Sequence, residues 1–229
     1  MAGRLSSFRL PCMNTSPRPA RIVFATAILA ALPLAACAQA PVVPPTGTES
    51  MSDSIQLAPV ADGPVRLAAG FAYEPRSGTV RVRYRVENAG AQAVAVFDRG
   101  HRHAVLIGRQ QSGAVGEPTF VEDRAGEVTL RHIALPLPDP APTSPPSPMA
   151  ARIDPGASLE GEFAYAPPTD AEPRRVRWCL GVAPFDADLF DMPEDSAGVS
   201  VWRASFDVVD RQQQLCTPWY DVAAGAFER

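Results

Sequence analysis

The sequence lacks the motifs by which common nucleotide-binding enzymes and metalloproteases are identified. It contains no phosphate-binding loop, no G-x-G-x-x-G fingerprint and no H-E-x-x-H pair. It also contains no lysine: all 21 residues counted as Lys or Arg are arginine, which we attribute to genome composition. Because 25 acidic residues outnumber them, the formal net charge is −4, which argues against nucleic acid as the main partner.

No sustained helical period and no membrane-spanning run is evident. The apolar run IVFATAILAALPL over 22–34 has 13 residues, and a helix of that length would reach about 20 Å, against a bilayer core of about 30 Å. Arg18 and Arg21 precede this run, and no acidic residue occurs before Glu49. A positive flank followed by a short apolar core predicts a secretory signal peptide.

The end of this run, Leu34-Ala35-Ala36-Cys37, resembles the lipobox of bacterial lipoproteins. The resemblance implies that residues 1–37 hold the signal and that Cys37 is lipidated as the first mature residue. Ala rather than Asp at position 38 implies the outer membrane, with the domain on the periplasmic side. The alternative is ordinary cleavage after Ala40, which the following proline disfavours. The compact basic segment that starts at Met13 suggests that translation begins there.

Two cysteines remain beyond the signal region, which holds Cys12 and Cys37. Cys179 and Cys216 are 37 residues apart, and two thiols in an oxidising compartment usually pair. We therefore predict a Cys179–Cys216 disulfide, worth about 4 kcal/mol on the chain-entropy model. The alternative is a redox pair or a set of metal thiolates, but neither cysteine belongs to a C-x-x-C motif.

The rest of the chain favours strands. Its 25 prolines argue against a mainly helical protein, and apolar residues alternate with arginine over 80–86. Many short strands bounded by turns predict an all-β sandwich or barrel. We expect a disordered tether over 38–64, one domain over 65–222 and a tail over 223–229. The predicted strands are 65–73, 80–86, 93–97, 103–107, 127–135, 157–165, 174–182, 199–209 and 213–222.

Two segments are predicted to be loops. Residues 136–148 hold seven prolines and are unsuited to a central strand, so we expect a stiff surface loop. A ligand for a proline-recognising groove and a boundary between two small domains are the alternatives. Residues 186–195 form an acidic loop. An EF-hand would need glycine where Asp191 stands, which leaves a calcium loop of another type as the alternative.

The segment VRVRYRVENAGAQAVAVFD over 80–98 resembles the second and third strands of bacterial immunoglobulin-like modules. The segment IDPGASL over 153–159 resembles the turn that opens a later strand in many of them. Periplasmic inhibitor-like and assembly-accessory lipoproteins share this form. The resemblance implies a single immunoglobulin-like antiparallel β-sandwich and says little about function.

Two further sets of side chains are candidates for binding chemistry. His101 and His103 would share one face of a strand, and with Asp98, or with Asp98 and His132, they form a copper or zinc alternative. If their strands are neighbours, five arginines would form a stripe able to bind acidic polysaccharide or lipid head groups. These arginines are Arg81, Arg83, Arg85, Arg175 and Arg177.

We therefore expect a non-catalytic binding or assembly role in the cell envelope, with no cofactor. The expected partners are the membrane, through the lipid anchor, and an envelope protein. The expected binding surface is the arginine stripe, the loop rim of 98–103 with 186–195, or a sheet edge that accepts a partner strand. A metal-handling protein and an unrecognised hydrolase are the alternatives. For the hydrolase, the segment around Ser158 is one residue too long for G-x-S-x-G.

Overall fold

The computed structural model describes residues 58–169, 171–196 and 198–228. The predicted signal peptide, Cys12, Met13, Cys37 and the tether up to residue 57 lie outside the described residues. Within the described part of the chain, strands make up 49% of the residues and helices 6%, which confirms the all-β prediction. The two described helices have five residues each, far fewer than the number needed to cross a bilayer.

The described residues form fourteen strands and two short helices. The first seven strands are β1 (Ala58–Asp62), β2 (Val65–Glu74), β3 (Thr79–Asn88), β4 (Val94–Val96), β5 (Thr119–Arg124), β6 (Glu127–His132) and β7 (Met149–Ile153). The others are β8 (Ser158–Tyr165), β9 (Arg175–Pro184), β10 (Phe190–Ser196), β11 (Val199–Ala204), β12 (Gln213–Cys216), β13 (Tyr220–Asp221) and β14 (Ala226–Phe227). The helices are α1 (Arg102–Leu106) and a 3-10 helix (Phe206–Asp210).

The smaller sheet is antiparallel, with strand order β1-β2-β3-β8. β3 shows why it forms: Val80, Val82, Tyr84 and Val86 are buried, and the arginines between them are exposed. This alternation gives the strand one apolar and one solvated face, as the sequence predicts.

The larger sheet has the order β10-β11-β7-β4-β9-β13-β14, with further strands attached to β9. Val182 of β9 pairs with both β4 and β12, and Cys179 pairs with both β6 and β12. β4 and β6 therefore share one edge of β9, and the sheet forks there. β6 runs parallel to β9, and β5 pairs only with β6 within the described part.

The two sheets pack face to face around one apolar cluster. Leu67 and Val82 of the smaller sheet belong to the same cluster as Trp178, Leu180 and other residues of the larger sheet. A second apolar cluster contains Phe97, Phe190 and, from the 3-10 helix, Val208. The architecture is a β-sandwich, because each sheet buries one face against the other.

The structure corrects several predicted boundaries. The strand predicted over 103–107 is helix α1, whose N-cap is His101, and a short apolar run does not separate helix from strand. The strand predicted over 199–209 ends at Ala204, because the Ser205 hydroxyl accepts a hydrogen bond from the Asp207 N–H and starts the 3-10 helix. The strand predicted over 213–222 is interrupted between β12 and β13.

Two predicted irregular segments also contain strands. The predicted tether extends to residue 64, but residues 58–62 form β1, which pairs with the edge of β2. Pro59 argues against a strand in the sequence, although proline is tolerated at sheet edges. The acidic segment 186–195 contributes most of edge strand β10, whose register shifts between Asp191 and Glu194. Met192, at φ 48°, lies within that irregularity. The proline-rich segment forms no helix or strand over 136–147, in agreement with the prediction.

Candidate binding cleft

A cleft of the described part of the molecule lies at an open side of the sandwich. It has a volume of about 1060 Å³ and runs between the end of β8 and the segment 100–120. Its apolar lining includes Ala104, Ile107, Val115, Phe120 and Tyr165. Its polar lining includes His101, His103, Arg109, Glu117 and Glu162.

Edge strands of both sheets border this cleft. In the described part β8 pairs only with β3, and β5 pairs only with β6. Phe120 of β5 and Tyr165 of β8 face each other with ring centroids 6.2 Å apart. The cleft therefore lies where the two sheets of the sandwich separate.

A buried ion pair lies at the base of the segment that forms one wall. Tyr84 Oη donates a 2.6 Å hydrogen bond to Asp98 Oδ2, and Arg99 Nε lies 3.0 Å from Asp98 Oδ1. Asp98 and Arg99 are both buried. Burial raises the pKa of Asp98, and the Arg99 guanidinium opposes that rise. Burial and the neighbouring Asp98 carboxylate raise the pKa of Tyr84.

His132 forms a second buried contact with this segment. Trp178 Nε1 donates to His132 Nδ1 at 3.0 Å, so His132 Nε2 carries the proton and donates to the Gly116 carbonyl at 2.8 Å. Burial lowers the pKa of His132 to about 4, against a smaller opposing effect of the Gly116 bond. Both ring nitrogens are thus engaged inside the protein, and His132 is a neutral structural residue.

These contacts fix the wall of the cleft to the sandwich core. The Gly116 N–H donates to the Asp98 carbonyl at 2.8 Å, and Arg99 Nη1 donates to the Gly113 carbonyl at 2.7 Å. A Cβ atom at Gly116 would lie 2.6 Å from the Gly100 backbone, so only glycine allows this approach. The cleft is consequently preorganised rather than bordered by a free loop.

The predicted metal alternative is not assembled in the described structure. The Asp98 carboxylate is occupied by Tyr84 and Arg99, while His101 Nδ1 accepts the Ala104 N–H at 3.2 Å. His103 Nδ1 lies 3.1 Å from Ser144 Oγ, and the two histidine rings stack at 6.3 Å. Burial and His103 lower the pKa of His101. Over 58–169, 171–196 and 198–228, no three His, Cys, Asp or Glu side chains cluster in a way that would hold a metal ion.

The five arginines do not form the single stripe that neighbouring strands would give, because β3 and β9 belong to different sheets. On the smaller sheet, Arg83 Nε lies 3.1 Å from Glu162 and Arg85 Nη1 lies 2.7 Å from Glu160. These carboxylates stand directly opposite the arginines on β8. The arginines of β3 and the glutamates of β8 therefore form a solvent-facing charge ladder.

On the larger sheet, the two arginines of the predicted stripe flank a tryptophan. The Arg175 and Arg177 guanidinium carbons lie 4.8 and 4.5 Å from the centroid of the Trp219 ring. Arg175 also pairs with Glu127 at 3.0 Å, and Arg177 with Asp123 at 3.3 Å. Since these guanidiniums already have carboxylate partners, we do not place an anion site here.

The remaining predicted residues have structural positions. Cys179 and Cys216 form a disulfide between directly opposed residues of β9 and β12, with a Cα–Cα distance of 4.0 Å, which confirms the prediction. In the acidic segment, Asp186 pairs with Arg211 at 3.2 Å and Asp191 pairs with Arg203. Ser158 begins β8, and none of the described histidines bonds to it.

Sequence reasoning missed most of the cleft. Tyr84 carried a usable signal, because it and Asn88 are the two polar side chains in the buried row of β3. Ile107, Phe120 and Tyr165 carried no such signal, because they line one cleft only as a result of which strands lie at the sheet edges. No protein-family model matches the chain, and the searches of curated proteins and of solved structures give no match either.

Proposed function

We propose that the chain is a lipoprotein of the bacterial cell envelope, anchored through Cys37 to the outer membrane on its periplasmic side. Its β-sandwich, which we propose is immunoglobulin-like, binds another envelope protein and catalyses no reaction. The lipobox-like ending of the signal supports the anchor. The Cys179–Cys216 disulfide supports an oxidising compartment.

The preorganised cleft is the observation that carries the binding role. A buried ion pair is a costly way to hold a surface segment, because both charges lose their hydration. Here Asp98 and Arg99 hold the segment that positions Ile107, whose surface is 50% exposed, at the mouth of the cleft. A wall that is fixed before binding lowers the entropy lost when a partner docks.

The polar groups of the cleft support binding rather than catalysis. His101 caps α1, His103 contacts Ser144, and Glu162 pairs with Arg83. Each of these side chains is used to position its own segment, whereas a catalytic pair requires a nucleophile within reach of a base.

Site-specific photo-crosslinking in intact cells tests the binding role. We expect a photoreactive residue at position 107 to give a discrete product with an envelope protein. Arg211, whose side chain is 57% exposed and which does not line the cleft, provides the matched control. Products of equal yield from both positions, or none from position 107, would contradict binding at the cleft.

The anchor is tested separately by mass spectrometry of the mature protein. We expect an acylated N-terminal Cys37, and Cys37→Ser to release the protein from the membrane fraction. A mature chain that begins unmodified at Pro41 would show ordinary cleavage and would remove the lipoprotein assignment. This result would leave the cleft and its crosslinking test unaffected.

A further inference from the structure

The outer edge of β8 presents unpaired backbone groups. Asn88 N–H donates to the Ala157 carbonyl at 3.0 Å, and Ala89 N–H donates to the Pro64 carbonyl at 2.9 Å. Even-numbered residues of β3 thus bond towards β8, and odd-numbered residues bond towards β2. By the β3–β8 register, the N–H and C=O groups of four β8 residues point away from β3. These residues are Ser158, Glu160, Glu162 and Ala164.

These outward groups lie along the binding cleft. None of the residues that the structure describes bonds to them, and Glu162 and Ala164 belong to the cleft lining. Such an edge is a template for another strand, since each added residue satisfies donors and acceptors that are already aligned.

The charge ladder indicates which strand would fit. Glu160 and Glu162 remain 71% and 59% exposed although they pair with Arg85 and Arg83. A strand added to β8 would place its own side chains directly opposite these carboxylates, where cations are favourable and anions are not. A second copy of β8 would set glutamate against glutamate, which disfavours self-pairing of this edge.

The other face of an added strand would point into the cleft. There it would meet Phe120, Tyr165 and Val115, which are partly buried apolar surfaces. The fitting strand therefore alternates basic residues on its solvent side with apolar residues on its inner side. β3 has this pattern and already pairs with the opposite edge of β8.

We propose that the partner at this cleft contributes an extended basic–apolar segment that adds antiparallel to β8 as a fifth strand of the smaller sheet. The proposal rests on the proposed function, since it specifies what occupies the same cleft. Recognition is by main-chain hydrogen bonds along β8, and the two glutamates select for basic side chains.

A synthetic peptide, VRVRYRV, with the sequence of residues 80–86, is the probe. We expect it to slow hydrogen exchange at the amides of Glu160, Glu162 and Ala164, measured by NMR on the complete mature protein. The amides of Leu159, Gly161 and Phe163 should be protected already, because they bond to β3. Protection confined to other strands, or no protection at saturating peptide, would overturn the proposal.

Two methylated peptides separate main-chain pairing from simple charge attraction. Arginines opposite Glu160 and Glu162 would direct their own N–H groups to β8, so N-methylation of the three arginines should abolish binding. N-methylation of the central valine and the tyrosine, whose N–H groups point away, should leave binding within about twofold. Equal binding of both peptides would exclude strand addition.

The charge requirement is tested with Glu160→Gln and Glu162→Gln combined. Both positions are exposed, so the fold should be retained, and circular dichroism checks this. We expect about a three- to tenfold weaker affinity for VRVRYRV and an unchanged affinity for its uncharged analogue VQVQYQV. Unchanged affinity for both peptides would show that the two glutamates do not select basic side chains. Crosslinking from position 107 that persists while every peptide fails would refute strand addition and leave the proposed function standing.

Discussion

Tyr84 of the smaller sheet donates a 2.6 Å hydrogen bond to Asp98, which follows β4 of the larger sheet. This bond joins the two sheets through a buried polar contact. Directly opposite Tyr84 on β8 stands Gly161, where a Cβ atom would collide with the tyrosine hydroxyl. The absence of a side chain on β8 therefore makes room for the contact that holds the cleft wall.

Tyr84→Phe should destabilise the protein. The substitution keeps the ring and removes the only donor from another strand to the buried Asp98 carboxylate in the described structure. We expect a loss of about 2 kcal/mol in the free energy of unfolding, measured by urea denaturation. Tyr165→Phe is the control, because the Tyr165 hydroxyl has no hydrogen bond among the described residues, and a change below about 0.5 kcal/mol is expected. Equal losses in both variants would contradict the role of the Tyr84–Asp98 bond.

The sequence allowed this strand to be predicted but not its contact. Alternation between valine and arginine identified β3, and the same reasoning located β2, β8 and β9 close to their observed bounds. The sequence instead indicates Asp98 as a candidate metal ligand beside His101 and His103. Its pairing with Tyr84 depends on how the two sheets pack, and period-two patterning within one strand contains no information on that packing.

Protonation of His132 should lower stability as the pH falls. The pKa of His132 is about 4 in the folded protein, against about 6.5 for an unperturbed histidine. Between these values the unfolded chain binds a proton that the folded protein does not. The contribution of neutral His132 to the free energy of unfolding is therefore fully present above pH 6.5. It is lost as the pH falls towards 4, by about 3 kcal/mol in total.

The measurement is urea denaturation at intervals between pH 4 and 7, with His132→Gln as reference. Glutamine can still donate to the Gly116 carbonyl and accept from Trp178, but it does not titrate. The difference between the two proteins removes the contributions of the other titrating groups, including Asp98. A difference that is constant across this range would show that His132 does not resist protonation in the folded state.

Loss of the Cys179–Cys216 disulfide should be costly. It closes a segment of 37 residues and joins directly opposed residues of β9 and β12. We expect the combined Cys179→Ala and Cys216→Ala variant to lose about 2–4 kcal/mol in unfolding free energy. Denaturation of the wild type with and without a reducing agent gives an independent value. A reductant that shifts the variant as much as the wild type would show that its effect does not arise from this bond.

For the charged residues, the sequence predicted the strand face on which they lie but not their neighbours on other strands. Arg81, Arg83 and Arg85 were recognised as one face of a strand, and this part of the interpretation holds. The prediction that they share a surface with Arg175 and Arg177 depends on strand order. It does not hold, because β3 and β9 lie in different sheets. Glu160 and Glu162 are the neighbours that the sequence did not reveal, and they carry the specificity that we infer for the edge of β8.

Gly116→Ala should impair binding at the cleft more than it impairs folding. The added Cβ would lie 2.6 Å from the Gly100 backbone, so the segment must move away from the sandwich and weaken the His132 and Asp98 contacts. We expect a loss of about 1–3 kcal/mol in stability and a marked drop in crosslinking from position 107. Gly78→Ala is the matched control: its φ of 64° strains an alanine by about 1 kcal/mol, but its Cβ meets no atom within 4 Å and it does not line the cleft. Crosslinking is normalised to the folded protein of each variant. If both variants crosslink equally well, the position of the wall does not matter for binding, and preorganisation by the buried network would have to be abandoned.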